Sequence, residues 1–145
     1  MNLDNSFPGL PYIPGLFCCS ILAILFLQSS FDKILHRRAN LDWLHTHFSK
    51  SPLRKVTVQL FSVLTVLELF SGLFSLAGCF FLLLNDLRPA LFGVILSMTS
   101  FVALFFGQRM AQDYAGAASL IPYATFALFS FFIIILTPEF FKFLD

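Results

Sequence analysis

Charge is scarce in this chain. Asp, Glu, Lys and Arg make up 12% of its 145 residues, about half the ~25% typical of soluble domains. The net charge of +1 leaves no basic footprint for nucleic acid. Cysteine is also sparse, and Cys18, Cys19 and Cys79 form neither a C-x-x-C pair nor a zinc spacing. No histidine lies inside an apolar run, so none can serve as an axial haem ligand within a span. A phosphate loop, a flavin motif, iron–sulfur cysteines and a nucleophile with its base are absent too. These absences point away from a self-sufficient enzyme: the sequence offers no catalytic residue, no metal ligand set and no resident cofactor.

Apolar residues are abundant instead, at 58%, with 21 phenylalanines. They concentrate in four runs, Ile13–Leu27, Val56–Leu84, Pro89–Gly107 and Leu120–Thr137. A spanning helix needs roughly 20 apolar residues. The last three runs reach that length directly, and the first reaches it if it continues to Lys33. Four buried helices of a soluble protein would leave almost no polar surface in so short a chain. The fold predicted is therefore all-α, a single integral membrane domain over 1–145. It is a four-helix up-down bundle with helices near 15–35, 52–84, 89–112 and 119–137. Met1–Pro14 holds Pro8, Gly9, Pro11 and Pro14 but no Lys or Arg. It reads as an extended tail before an uncleaved span rather than as a signal peptide.

The second run carries one isolated carboxylate, Glu68, within T-V-L-E-L-F-S-G-L-F-S-L-A-G. An ionised carboxylate facing hydrocarbon costs several kcal/mol, on the order of 3 or more. At helical spacing Thr57, Phe61, Leu64, Glu68, Ser71, Gly72, Ser75 and Cys79 share one stripe. Val66, Phe70, Leu73, Ala77 and Phe81 share the opposite one. Small, polar faces pack on other helices in a membrane and greasy faces meet lipid. Glu68 is thus expected inside the bundle. In the first span Gly15, Cys19, Leu22, Phe26, Ser29 and Lys33 share a face. In the third, Gly93, Ser97, Ser100, Leu104, Gly107 and Ala111 do.

The segment Asp32–Lys55 is the most polar part, with Lys33, Arg37, Arg38, Lys50, Arg54, Lys55 and all three histidines. Asn40 is suited to cap a short helix, near 41–49, whose apolar stripe is Leu41, Leu44 and Phe48 with Trp43 beside it. This predicts an amphipathic helix on the membrane surface. His45 and His47 lie two apart and do not share a helix face, so His36, His45 and His47 read as solvated loop residues. Ser51-Pro52 reads as an N-cap followed by Pro at the first helical position. Asn85–Arg88 is a tight turn. A break near Asp113–Ser119 separates the last two spans, with Ser119 as cap, Pro122 in the first turn and Thr137-Pro138 as the stop. Connections one and three hold seven of the nine Lys and Arg residues; Arg88 and Lys142 lie on the other side. The positive-inside rule then places both termini outside and residues 32–55 in the cytoplasm.

In this order and spacing, F-D-K-I-L at the end of the first span, E-L-F-S-G-L-F-S-L-A-G in the second and F-G-Q-R-M-A-Q-D-Y-A-G-A-A after the third resemble the DoxX family. Ser30 stands where that family usually has glycine. The third stretch and L-D-W-L-H-T-H-F-S-K-S-P-L are similar to its Bacteroidetes branch. The resemblance covers nearly the whole chain. It implies a small four-span protein of the bacterial inner membrane, some relatives being parts of a thiosulfate:quinone oxidoreductase and distant ones assembly factors or cargo receptors.

Lys33, Glu68, Gln108, Arg109, Asp113 and Tyr114 are expected at similar depth. They form either an ion-pair network that fixes helix register, the favoured reading, or a quinone-headgroup or proton site on Glu68 with Lys33 or Arg109. Cys18 or Cys19 with Cys79 is a candidate disulfide; free thiols acting as small apolar residues are favoured. The function expected is a non-catalytic subunit or assembly partner of a larger envelope membrane complex. The alternative is the membrane subunit of a quinone-linked oxidoreductase. The partners expected are the lipid bilayer, other membrane subunits and a second copy of this chain.

Overall fold

The computed structural model describes the backbone of residues 10–144 and the side chains of residues 11–136. Among these every regular element is helical. A short 3-10 turn, Leu10–Tyr12, leads into α1 (Ile13–Leu35), followed by α2 (Arg37–His47), a 3-10 turn Pro52–Val56, α3 (Thr57–Leu82), α4 (Arg88–Met110) and α5 (Tyr114–Leu144). Four of these stretches, Ile13–Leu35, Pro52–Leu82, Arg88–Met110 and Tyr114–Leu136, are long and apolar enough to cross a membrane. The chain is a multi-pass membrane helix bundle in a lipid bilayer environment. The part of the expected extended tail before Leu10 lies outside the described residues, as does the side chain of Lys142.

The bundle is assembled around α3. Its buried side carries Thr57, Phe61, Thr65, Glu68, Ser71, Gly72, Ser75, Gly78 and Leu82. Val66, Phe70, Leu73 and Phe81 on the opposite side are exposed, as lipid-facing residues are. Small residues let backbones approach closely. A Cβ added to Gly93 would sit 2.6 Å from the backbone nitrogen of Ser75, and one on Gly78 would sit 2.8 Å from Cα of Ala90. Gly72 approaches α1 in the same way, 2.8 Å from the backbone nitrogen of Leu27. Ser71 and Ser97 join their hydroxyls across the α3–α4 seam at 2.6 Å, and Ser97 Oγ also donates to the Gly93 carbonyl at 2.8 Å. Cys19, Leu22, Phe26, Leu82, Ala90, Val94, Phe101, Ala127 and Ile134 form the apolar core. By contrast, α1 and α5 meet only loosely.

Several boundaries differ from the sequence expectation. The first helix starts at Ile13, with Pro14 in its opening turn, where proline lacks no needed donor. The surface helix starts at Arg37 rather than near Leu41. Asn40 is not its N-cap: its amide donates back to the Asp32 carbonyl, the Asp32 carboxylate and the His36 carbonyl, stitching α2 onto the end of α1. Ser51 does cap, its hydroxyl accepting from the Leu53 N–H at 3.2 Å, but the first turn after it is 3-10. The last helix starts at Tyr114, five residues before Ser119. Its cap is Asp113, whose carboxylate accepts from the Gly116 N–H at 2.8 Å. Ser119 instead donates to the Gly116 carbonyl inside the helix. Pro122 is therefore interior, and α5 also continues past Thr137-Pro138 to Leu144. Proline removes one backbone bond per site, a loss that membrane helices absorb through neighbouring groups.

Candidate functional site

Glu68 is 1% exposed and sits in the middle of a helix that has no other charge near it. Its Oε2 accepts from Lys33 Nζ at 2.8 Å and from Ser29 Oγ at 2.9 Å. Lys33 Nζ also donates to Ser29 Oγ at 2.7 Å, which closes a three-membered polar ring. Ser29 and Lys33 are one turn apart on α1, so both side chains reach α3 from the same face. Lys33, with its side chain 18% exposed, runs its methylenes along the bundle and brings the ammonium to the carboxylate. The second carboxylate oxygen, Oε1, is buried and has no protein partner.

Two clefts flank this ring. The first, of about 390 Å³, lies against α2 and is lined by Trp43, Leu44 and His47 of that helix, by Phe48 just after it and by Phe61, Leu64 and Leu104 of the spans, with Lys33 also in its wall. The second, wider and of about 920 Å³, opens between α1 and α5 and has Glu68 and Ser29 in its wall, beside Leu25, Phe26, Leu120 and Tyr123. The ion pair thus separates the two spaces, Lys33 bordering one and Glu68 the other.

The expected six-residue cluster is divided. Lys33 and Glu68 are together. Arg109 does not join them; its guanidinium stacks 4.6 Å from the centre of the Tyr114 ring, at the exposed end of α4. Gln108 and Asp113 belong to a third grouping that the sequence reading passed over, because it takes in His47. The His47 ring nitrogen Nε2 lies 3.0 Å from Gln108 Oε1 and 3.7 Å from Asp113 Oδ2. Trp43 stacks on the His47 ring at 4.5 Å and Phe48 meets it edge-on at 5.3 Å. His47 is thus a docked residue, not a solvated one. The helical spacing Trp43, Leu44, His47 carried the signal, since these positions share one face of α2. Leu41 lies off the cleft wall, and Trp43 takes its place there. Arg37 anchors α2 from its other end, donating to Ser62 Oγ at 2.9 Å and lying over the Phe61 ring at 5.4 Å.

Cys18, Cys19 and Cys79 are free thiols, so the candidate disulfide is not formed. Cys79 Sγ lies 3.5 Å from Ser20 Oγ. Among the described residues, no three His, Cys, Asp or Glu side chains come together as a metal-holding group.

Comparison of the chain with family models, curated proteins and solved structures gives no match.

Proposed function

We propose that this chain is a DoxX-like, non-catalytic subunit or assembly partner of a larger membrane complex in the bacterial envelope. It would lie in the inner membrane, with both termini outside and α2 on the cytoplasmic face. One observation carries the reading: the ionisable groups at the α2 end of the bundle are mostly paired or stacked with neighbouring side chains. Lys33 and Ser29 hold Glu68, Gln108 and Asp113 hold His47, and Arg109 covers Tyr114. What is presented outward is apolar, a set of phenylalanine-rich faces including Phe17, Phe80, Phe92, Phe106 and Phe129. Such faces suit lipid or a partner helix. The basic segment Lys50–Lys55 beside α2 suits anionic lipid or an acidic partner surface.

A second reading is favoured by the cleft that reaches Glu68 from the bilayer side. In it the chain is the membrane subunit of a quinone-linked oxidoreductase and houses a quinone while a partner moves the electrons. Gentle solubilisation of the native protein, mass spectrometry of what travels with it and extraction of bound quinone separate the two. Stoichiometric membrane partners without quinone support the subunit reading. A lone protein carrying quinone, whose reduction stops in Glu68→Gln, overturns it.

A further inference from the structure

The unpartnered Oε1 of Glu68 is the sharpest unmet demand in the described part of the molecule. Buried polar atoms are nearly always hydrogen-bonded, and a carboxylate oxygen left without a donor is more costly than a neutral one. Ser75 Oγ is the other buried side-chain atom without a partner, but it is a hydroxyl wedged in the α3–α4 seam and borders neither cleft. Glu68 does border one, the opening between α1 and α5, whose volume of about 920 Å³ is within the ordinary range for ligand sites. Most of the lining is apolar, with Ile21, Ile24 and Leu120 among it, and Gln28, Ser29, Asp32, His36 and Glu68 supply polar groups. A ligand here would have an apolar body lying along the α1–α5 groove and one polar group at Glu68.

The chemistry of that polar group follows from what Glu68 already holds. Its other oxygen accepts from Lys33 and Ser29, and Lys33 makes the ring electrically neutral. A second cation would face the Lys33 ammonium across one carboxylate and leave a net buried charge. A carbonyl, an ether or the oxygens of an oxidised quinone are acceptors only and would set lone pairs against lone pairs. A neutral O–H group satisfies Oε1 without changing the charge balance. We propose that the α1–α5 cleft binds a neutral, lipid-borne hydroxyl compound, a long-chain or ring alcohol entering from the bilayer, which donates its O–H to Glu68 Oε1. This does not depend on the subunit reading, and it differs from the quinone reading in the ligand selected.

The test uses the full chain in lipid nanodiscs and three matched photoreactive probes: hexadecanol, its methyl ether and hexadecylamine. The chain has only two glutamates, Glu68 and Glu139, so carboxyl-¹³C glutamate in a Glu139→Gln background reports on Glu68 alone by infrared spectroscopy. The alcohol should crosslink to α1 and α5 about tenfold more than the ether, the difference that one hydrogen bond to a charged acceptor makes. It should also shift the Glu68 carboxylate band, and the ether should not. Leu120→Trp, which fills the cleft without touching the ion pair, should abolish the labelling. Equal labelling by alcohol and ether, an unmoved band, or stronger labelling by the amine would overturn the proposal. So would competition by an oxidised quinone as effective as that by unlabelled alcohol, and that result would leave the quinone reading standing.

Discussion

The α3–α4 seam and the α1–α5 seam are built from the same kind of helix but packed to opposite ends of the range. In the first, glycine and serine bring backbones together until an added methyl group would meet backbone atoms at Gly93 and Gly78. The Ser71–Ser97 bond crosses it. In the second, bulky Ile24, Leu25, Leu120 and Tyr123 hold the helices apart around an open cleft. Lipid tails are as apolar as leucine, so membrane helices gain little from merely being greasy, and close approach of small residues decides which pairs lock. The tight seam fixes α3 against α4, and the equally close approach of Gly72 to Leu27 fixes α3 against α1, the register that brings Glu68 to Lys33. The loose seam leaves one side of Glu68 approachable.

Breaking the ion pair should have the largest effect. Glu68→Leu leaves the Lys33 ammonium inside the bundle without its carboxylate and should cost about 3–5 kcal/mol. Thermal unfolding in mild detergent should show a large fall in Tm. The double variant Lys33→Met with Glu68→Leu should recover most of that loss, because an apolar pair of similar size avoids both desolvation penalties. A double variant as unstable as the single one would mean that Glu68 matters through something other than its pairing.

The contrast between seams can be sharpened by adding volume to each. Gly93→Leu forces side-chain atoms into the backbone of Ser75 and should cost at least the ~1–3 kcal/mol of ordinary overpacking. Leu120→Trp adds comparable bulk where the wall faces open space and should change Tm little. Equal losses at both positions, measured in the same detergent, would remove the distinction between a locked and an open seam.

How legible these features were in the sequence follows from the range over which each is determined. The inward turn of Glu68 and its need of a cationic partner followed from periodicity and isolation alone, because a lone carboxylate among apolar residues has few permissible surroundings; the choice of Lys33 over Arg109 did not. The docking of His47 did not either, because its partners Gln108 and Asp113 come from the far end of α4 and the turn after it, and no local pattern names them. Residues Asp32, His36 and Asn40 stitch α2 to α1 at a single broken residue, which sets the helix down where His47 meets Gln108 and Asp113. Arg109 was expected at Glu68 because charge was expected to seek charge. An exposed guanidinium at a helix end already has water and the Tyr114 ring, so it has no need of a buried partner. The two clefts are gaps between side chains from distant segments, and no local pattern encodes them.

A smaller loss is expected from releasing α2. His47→Ala removes the bond to Gln108 and the stack with Trp43, costing about 1 kcal/mol. The global Tm should fall only slightly. The local signature is the discriminating one: hydrogen exchange across Arg37–Phe48 should accelerate while the spans keep their protection. Unchanged exchange in that segment would show that Arg37 on Ser62 and Phe61 holds the helix without help.

The smallest effect, and the only stabilising one, should come from the turn between α4 and α5. Gln112 has φ of 61° and closes α4 in the manner of a glycine cap: the Asp113 N–H donates to the Gln108 carbonyl at 2.9 Å and the Gln112 N–H to the Arg109 carbonyl at 3.1 Å. A side chain in this left-handed conformation costs about 1 kcal/mol relative to glycine. Asn85 does the same work at the end of α3, also with φ of 61°, but asparagine tolerates the conformation better than glutamine. Gln112→Gly should therefore raise stability by up to about 1 kcal/mol, and Asn85→Gly by less, offset in both cases by the greater freedom glycine has when unfolded. Because Asp113 both follows this turn and caps α5, the Gln112→Gly gain should vanish in an Asp113→Ala background if the turn and the cap form one unit. A full gain in that background would show that they act independently, and would confine the strain to Gln112 itself.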